Sequence, residues 1–550
     1  MPKRFRNSLK CFLFFPTLIW INGCKNVDNS KNSNYFFYNE DQSITTLDPA
    51  FAKNQSELWV IAQMFEGLVE YDDSLHIRPG LAKSWTIEDS GRLYTFNLRS
   101  DVYFHSTGAL KDKKRRLTAP DFVYSFKRVA DPKTASPGAW IFNDKMDLRY
   151  FRNSDSFAFP VKAVDDTTLT IRLSHSFSPF LGILAMSYCS AVPHEAVGAG
   201  FREHPVGTGP FMLVKWEEEV TLLLKRNPDY YRSANGKKLP YLDGIVIDNV
   251  KNKQTAFLKF VQGEYDYFNG IDASIKDELL TLSGQLKEKY SRMFRMQKAP
   301  FLNTEYLGFN IDKKFKNHPL NNVNVRKAIQ FSVDRERIIT FLRNGIGTPG
   351  KYGFVPVGLP GYPYHLIPEI KYNMDSARYY LKKSGIDVKK AQPIVIHTTS
   401  DYLEFMVYIQ KELNNLGLEV KIEVHPASFL RKLRNDQAIN CFRGSWYADY
   451  PDAEDFMVCF ETRNFGPGGP NYFHYSDPKL DKIVQLSNQA LNDSARLALL
   501  AMADRYARET VPCVVVYYDQ SVRLTQNWVE GLYANPANLL RLREVKKIKR

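Results

Sequence analysis

The first strongly apolar run of the mature chain, the four aromatics Tyr35-Phe36-Phe37-Tyr38, predicts a strand. Over Gln63 to Asp72 the apolar spacing suits a helix that ends in a turn marked by Gly67. Leu93-Tyr94-Thr95-Phe96-Asn97-Leu98-Arg99 alternates from Tyr94 onward, and Val102-Tyr103-Phe104-His105 continues that pattern. A helix comes after Thr118: positions 122, 123, 126 and 129 make one apolar face, Thr118 suits the N-cap, Pro120 the first turn, and Asp121 the positive helix end. Val161 to Leu173 reads as two strands around the acidic turn Asp165-Asp166, and Leu307-Gly308-Phe309-Asn310 as a strand end. A helical run covers Val325 to Ile339, with Arg326 and Asp334 as scaffold ion-pair residues. Residues 346–364 are rich in Gly and Pro and form a long loop. Then come a strand at Ile394-Val395-Ile396, a helix around 402–416 and a strand from Glu419 to Val424, a β-α-β rhythm that implies a parallel sheet. The chain closes with a helix near 491–508 and the strand Val514 to Tyr518.

Length and charge narrow the picture. At 550 residues the chain exceeds one compact core and calls for two or three domains. The formal charge is +14, but it is concentrated partly in the two tails and is otherwise thinly spread. No basic stripe interleaved with aromatics occurs, so nucleic acid is not a predicted partner. The basic start (Lys3, Arg4, Arg6, Lys10) followed by an apolar run from Cys11 to Ile21 reads as a secretory signal, too short for a membrane span. Residues 25–34, rich in Lys, Asn and Ser, suit a tether. Six cysteines include no C-x-x-C pair; Cys189, Cys441, Cys459 and Cys513 leave room for up to two disulfides without specifying any.

The densest chemistry lies in Phe442-Arg443-Gly444-Ser445-Trp446-Tyr447-Ala448-Asp449-Tyr450-Pro451-Asp452. Tyr450 precedes a proline and is pushed toward extended geometry, so the segment reads as a strand end running into a loop. Asp449 offers acceptor oxygens for an ammonium, and Arg443 a donor fork for a carboxylate. Trp446 and Tyr447 supply an apolar wall with polar tips, with Ser445 between them and Arg443. One short element thus carries partners for both ends of a zwitterion. The same composition also suits a strand end with a surface ion pair and core aromatics.

Trp446-Tyr447-Ala448-Asp449-Tyr450 resembles the W-x-A-D-Y signature of periplasmic oligopeptide-binding proteins, extracytoplasmic subunits of peptide-importing ABC transporters within the family 5 solute-binding proteins. Further blocks are similar to that family in the same order: Arg78 to Trp85, Thr118 to Pro132, Val206-Gly207-Thr208-Gly209-Pro210-Phe211, Gly263-Glu264-Tyr265-Asp266, and Val325 to Ile339. Together they run from about 35 to about 545. The resemblance implies an α/β, two-lobe periplasmic-binding-protein fold (type II, cluster C-like) with an extra domain inserted near the N-terminus. Lobe I would comprise 35–55, 187–300 and 517–550, the extra domain 56–186, and lobe II 301–516. Ile21-Asn22-Gly23-Cys24 resembles a lipobox, implying cleavage and lipidation at Cys24 in the cell envelope.

Carried over residue by residue, the resemblance assigns Asp449 to the α-amino group of a peptide, and Arg443 and Arg434 to its carboxylate or side chains. Trp446 is matched to a cleft aromatic, Ser43 to a side-chain pocket, and Arg343 lies near a carboxylate-binding position. Tyr447 stands where some members have a cysteine, Leu403 where a carboxylate-binding histidine occurs, and Ala427 where a pocket tryptophan occurs, so ligand length is left open. The expected partners are short peptides and the permease subunits of an ABC importer, with the chain acting as a lipid-anchored monomer. The same scaffold also suits a cell-wall peptide, glutathione, haem or nickel. No cofactor is implied; the ten histidines are scattered and form no H-E-x-x-H pattern, so no metal ligands are assigned. No G-x-S-x-G elbow supports a peptidase, and no catalytic residue is assigned.

Overall fold

Two long antiparallel strands, Phe294–Phe309 and Cys513–Gln526, form the spine of the molecule in a computed structural model. The structure describes residues 34–110, 114–144, 146, 148, 159–198, 200–490 and 492–548. The expected secretory signal, the expected tether up to residue 33 and Cys24 lie outside the described residues.

The spine strands sit inside an eleven-stranded sheet. On one side of them the sheet continues through Tyr267–Asn269, Tyr35–Asn39, Gly244–Asp248, Thr221–Arg226 and Phe211–Glu217; on the other, through Cys441–Tyr447, Ile394–Thr398 and Val420–Val424. Each half contains a β-α-β unit. Gly244–Asp248 and Tyr267–Asn269 flank Tyr35–Asn39 in parallel and are linked through helix Lys253–Val261. Ile394–Thr398 and Val420–Val424 pair in parallel through helix Leu403–Asn415, as the sequence rhythm predicts. Between the halves the spine register slips: Pro300 faces Gln520, but Thr304 faces Tyr518. Pro300 has no N–H to give the ladder, so an irregularity belongs there. The result is the two-lobe periplasmic-binding-protein architecture.

A separate four-stranded antiparallel sheet is built from Ala82–Glu88, Leu93–Leu98, Thr168–Arg172 and Val161–Ala163. Helix Ala119–Ala130 covers it with Phe122, Phe126 and Val129, all buried. Its start is closed by a capping box between Thr118 and Asp121, the residues that the sequence marked as N-cap and dipole partner.

Several expectations need correction. The helix expected over 63–72 is Gln55–Met64; Phe65 is extended and Val69–Tyr71 is a strand. The Val206–Phe211 turn ends that helix, because the Gly209 N–H donates to the Met64 carbonyl at 2.8 Å. A Cβ on Gly207 would lie 2.0 Å from that carbonyl oxygen, so the turn requires glycine there. Val102-Tyr103-Phe104-His105 forms a single bridge, from Tyr103 to Arg116, and not a strand. Arg326 and Asp334 do not pair among the described residues. The Arg326 guanidinium donates to the carbonyls of Leu320, Asn321, Thr510 and Val511, while Asp334 caps the turn at Arg337. The final strand runs well past Tyr518, to Gln526. Cys189, Cys441, Cys459 and Cys513 are buried free thiols.

Candidate functional site

The strand Cys441–Tyr447 lies against the spine, with Tyr447 facing Asn303, Ser445 facing Glu305 and Arg443 facing Leu307. Strand alternation puts Arg443, Ser445 and Tyr447 on one face and Phe442, Gly444 and Trp446 on the other. The chain then leaves the sheet through Ala448 and Asp449.

Asp449, Tyr447 and the adjoining Tyr450-Pro451 line a cavity of about 250 Å³. Its remaining walls come from the helix Gln55–Met64, from Val69 to Tyr71, from Tyr188 and its neighbours, and from the C-terminal segment Ala537 to Arg543. The cavity is therefore walled by parts of the chain remote from one another in sequence. The Asp449 side chain is open to it while protein surrounds the remaining sides, and that withdrawal from bulk water pushes the carboxyl up to about 6. The Asp449 backbone N–H donates to Asp455 Oδ2 at 2.9 Å. Asp455 is buried, and its carboxyl is pushed well up, first by burial and then by the charges of Asp449 and Glu454. Among the described residues no cation pairs with either acid. Two adjacent carboxyls without a counter-ion, one of them open to a cavity, have the chemistry to accept a ligand cation.

The other assigned residues divide. Trp446 turns away from the cavity into the core beside Thr304, its indole N–H directed toward Asp455 without completing a hydrogen bond that satisfies it. Arg443 is already engaged: its guanidinium pairs with buried Glu305 and stacks 3.1 Å from the centre of the Tyr402 ring. Arg343 donates to Asp519 at 2.5 Å and to the Tyr517 hydroxyl at 2.9 Å. Arg343, Tyr402 and Asp519 line a second, more polar cavity of about 660 Å³, bounded by residues 39–41, 253–280 and 342–346. There Glu40 is raised to about 7, chiefly by burial. Arg434 lies over the Tyr472 ring at 4.9 Å and beside Phe442, and lines neither cavity. Ser43 is also outside both; its hydroxyl accepts from Lys251 at 2.9 Å. Ser445 is half-buried opposite Glu305.

Sequence reasoning missed two parts of the site. Asp455 had a visible signal, since Asp452, Glu454 and Asp455 crowd the stretch just after Asp449. The second is a cluster in the wall of the smaller cavity. Glu70 accepts from Arg543 at 2.7 and 2.8 Å and from Arg232 at 2.7 Å, and Arg232 also lies 3.5 Å from Glu66. Its members come from three remote segments, so no local pattern announces it.

The family model for bacterial extracellular solute-binding proteins, family 5, matches residues 76–466. The "Periplasmic oligopeptide-binding protein OppA" of Salmonella typhimurium is 26% identical over 513 residues, covering 90% of this chain and 88% of the relative. The "Probable deoxycholate-binding periplasmic protein YgiS" of Escherichia coli is 27% identical over 518 residues, covering 90% of each. Among solved structures, Helicobacter pylori DppA in complex with the peptide STSA superposes with a TM-score of 0.75 at 24% identity, covering 94% of this chain and 99% of that one. The chain belongs to the family 5 bacterial extracellular solute-binding proteins.

Proposed function

We propose that this protein captures short peptides by their α-ammonium group in the cleft between its lobes, without cleaving them, and passes them to the permease of an ABC importer. The observation that carries this reading is the unpaired Asp449 carboxyl, open to a cavity and backed by buried Asp455. A peptide ammonium there forms a charge-assisted bond, and the peptide backbone adds strand-like hydrogen bonds that any sequence supplies. Peptide-binding relatives such as OppA support the same reading. Lobe I in this reading comprises 35–55, 187–300 and 517–550, lobe II 301–516, and the inserted domain 56–186. The slip at Pro300 to Thr304 is the natural hinge for closure over the ligand. Lipidation at Cys24 holds the monomeric receptor at the membrane. Among the described residues no helix is long and apolar enough to cross one.

Calorimetry with a peptide and its N-acetylated twin tests the reading. The acetylated peptide is expected to bind weaker by about 2–5 kcal/mol, because it leaves Asp449 unpaired in the closed site. Equal affinities would refute amine capture. The pH dependence has a defined sign. The ammonium binds ionised Asp449, whose free carboxyl titrates near 6, so affinity is flat from there up to about pH 7.7–8.0, where the peptide's α-amino group begins to lose its own proton and binding weakens again. Below about 6 the proton on Asp449 competes, and affinity falls by up to about tenfold per pH unit.

A second reading rests on the other wall of the same cavity, where Arg541 lines the site among apolar residues with its Nη2 buried without a hydrogen-bond partner, while its neighbour Arg543 is held by Glu70. That arrangement suits an amphipathic anion, the class that the YgiS relative's name describes. Binding of deoxycholate that is indifferent to Asp449→Asn would favour it.

A further inference from the structure

Among the described residues two groups of metal-ligating side chains converge. In one, Asp121 and Glu195 with His194, both carboxylates are already held by Arg115 at 2.6 Å, so their charge is spent. The other, His397, Glu423 and His425, has no such cation. No residue of this group lines either cavity, so its chemistry is independent of the peptide reading.

Strand pairing sets the geometry. Ile394–Thr398 and Val420–Val424 run in parallel with His397 directly opposite Glu423, which places both side chains on one face. His425 lies two residues beyond Glu423 and returns to that face. Its backbone N–H donates to the Thr398 carbonyl at 2.8 Å, which holds it in register past the end of the strand. His397 Nδ1 is 2.9 Å from His425 Nε2 and 3.4 Å from Glu423 Oε2, and His425 Nε2 is 3.6 Å from that same oxygen. A tetrahedral cation with bonds of about 2.0–2.1 Å needs ligand atoms about 3.3 Å apart, and the three separations bracket that value.

The surroundings suit a cation as well. The imidazoles are 12% and 16% exposed, whereas Glu423 is 54% exposed, so the rings are fixed while one side of the triangle opens to water. Phe429 packs beside the His425 ring at 5.4 Å. In the absence of a metal one N–H bridges the two facing nitrogens; a bound cation takes its place as that imidazole moves to its other tautomer, with its N–H on the far ring nitrogen. Imidazole with a single carboxylate favours a divalent transition ion over calcium or magnesium. The ligands sit 26 and 28 positions apart in sequence (397 to 423 and 425), which is why no spacing motif betrays them.

We propose that His397, Glu423 and His425 form a three-ligand site for a zinc-class divalent cation at the outer edge of the large sheet, with its remaining coordination open to water or a further ligand.

The test uses the purified protein without a histidine tag. Equilibrium dialysis against Zn²⁺ with elemental analysis is expected to show one ion per chain bound at micromolar concentration or below. His397→Ala/His425→Ala should weaken binding by at least about a hundredfold, and Glu423→Gln by roughly tenfold. Glu423 is surface-exposed, so the second variant reads the site even if the first does not fold. Co²⁺ supplies an independent readout: the wild type should show visible d–d bands of a tetrahedral or five-coordinate ion, and Glu423→Gln should alter them. Failure of the wild type to retain Zn²⁺ would overturn the proposal, as would retention of the same affinity by both variants.

Discussion

Asp449→Asn is expected to remove most of the affinity for unblocked peptides, by about 2–5 kcal/mol, while leaving the protein folded. The amide keeps the shape of the carboxylate but not its charge, so a ligand ammonium would be enclosed without a counter-ion. The same substitution should raise the melting temperature of the ligand-free protein at pH 7.5. The Asp449 carboxyl is raised from its unfolded value of 3.8 to about 6. A raised acid contributes stability below its unfolded pKa and loses it as pH rises through the folded one, so above pH 6 the ionised group is a burden that Asn relieves. Lost affinity with unchanged or improved thermal stability, read by calorimetry and differential scanning, separates a binding residue from a structural one. A variant that binds as well as wild type would remove Asp449 from the site.

Glu70→Ala is expected to destabilise the fold by about 3 kcal/mol, measured by denaturant unfolding. Glu70 joins Arg543 of the C-terminal segment to Arg232, and its removal leaves two largely buried guanidiniums with only looser acidic neighbours, Glu66 at 3.5 Å from Arg232 and the exposed Glu544 at 3.4 Å from Arg543. Burial alone would raise the Glu70 carboxyl, but Arg543 and Arg232 hold it down at about 2. A depressed acid gives stability that is complete above its unfolded value of 4.5 and is lost as pH falls toward 2. The gap between wild type and variant should therefore be constant at neutral pH and narrow between 4.5 and 2. A gap that did not change with pH would assign the loss to packing instead.

The range of each interaction decided how much of it was legible in the sequence. Local signals succeeded: the Thr118–Asp121 capping box, the parallel pair around helix Leu403–Asn415, and the strand that ends before Ala448-Asp449 all rest on residues a few positions apart. The helix ending at Met64 was misjudged because a turn some 140 residues later, at Gly207 and Gly209, decides where it stops. Arg326 suits an ion pair on paper; in the fold, four backbone carbonyls from a short helical turn at Leu320-Asn321 and a helix end at Thr510-Val511 reach it first. At the candidate site, the position of Asp449 just past a strand end was legible from its neighbours, whereas the commitment of Arg443 to Glu305 depends on strand pairing across 138 residues. Trp446 fell on the core face through strand alternation, which becomes decisive only once the partner strand is known.

In the proposed function Asp449 anchors the amino end of a peptide. Native mass spectrometry of the purified wild type beside Asp449→Asn tests it most directly. The expected wild-type spectrum carries a heterogeneous series of copurified peptide masses that are absent from the variant. A single non-peptide mass, retained equally by the variant, would contradict the account.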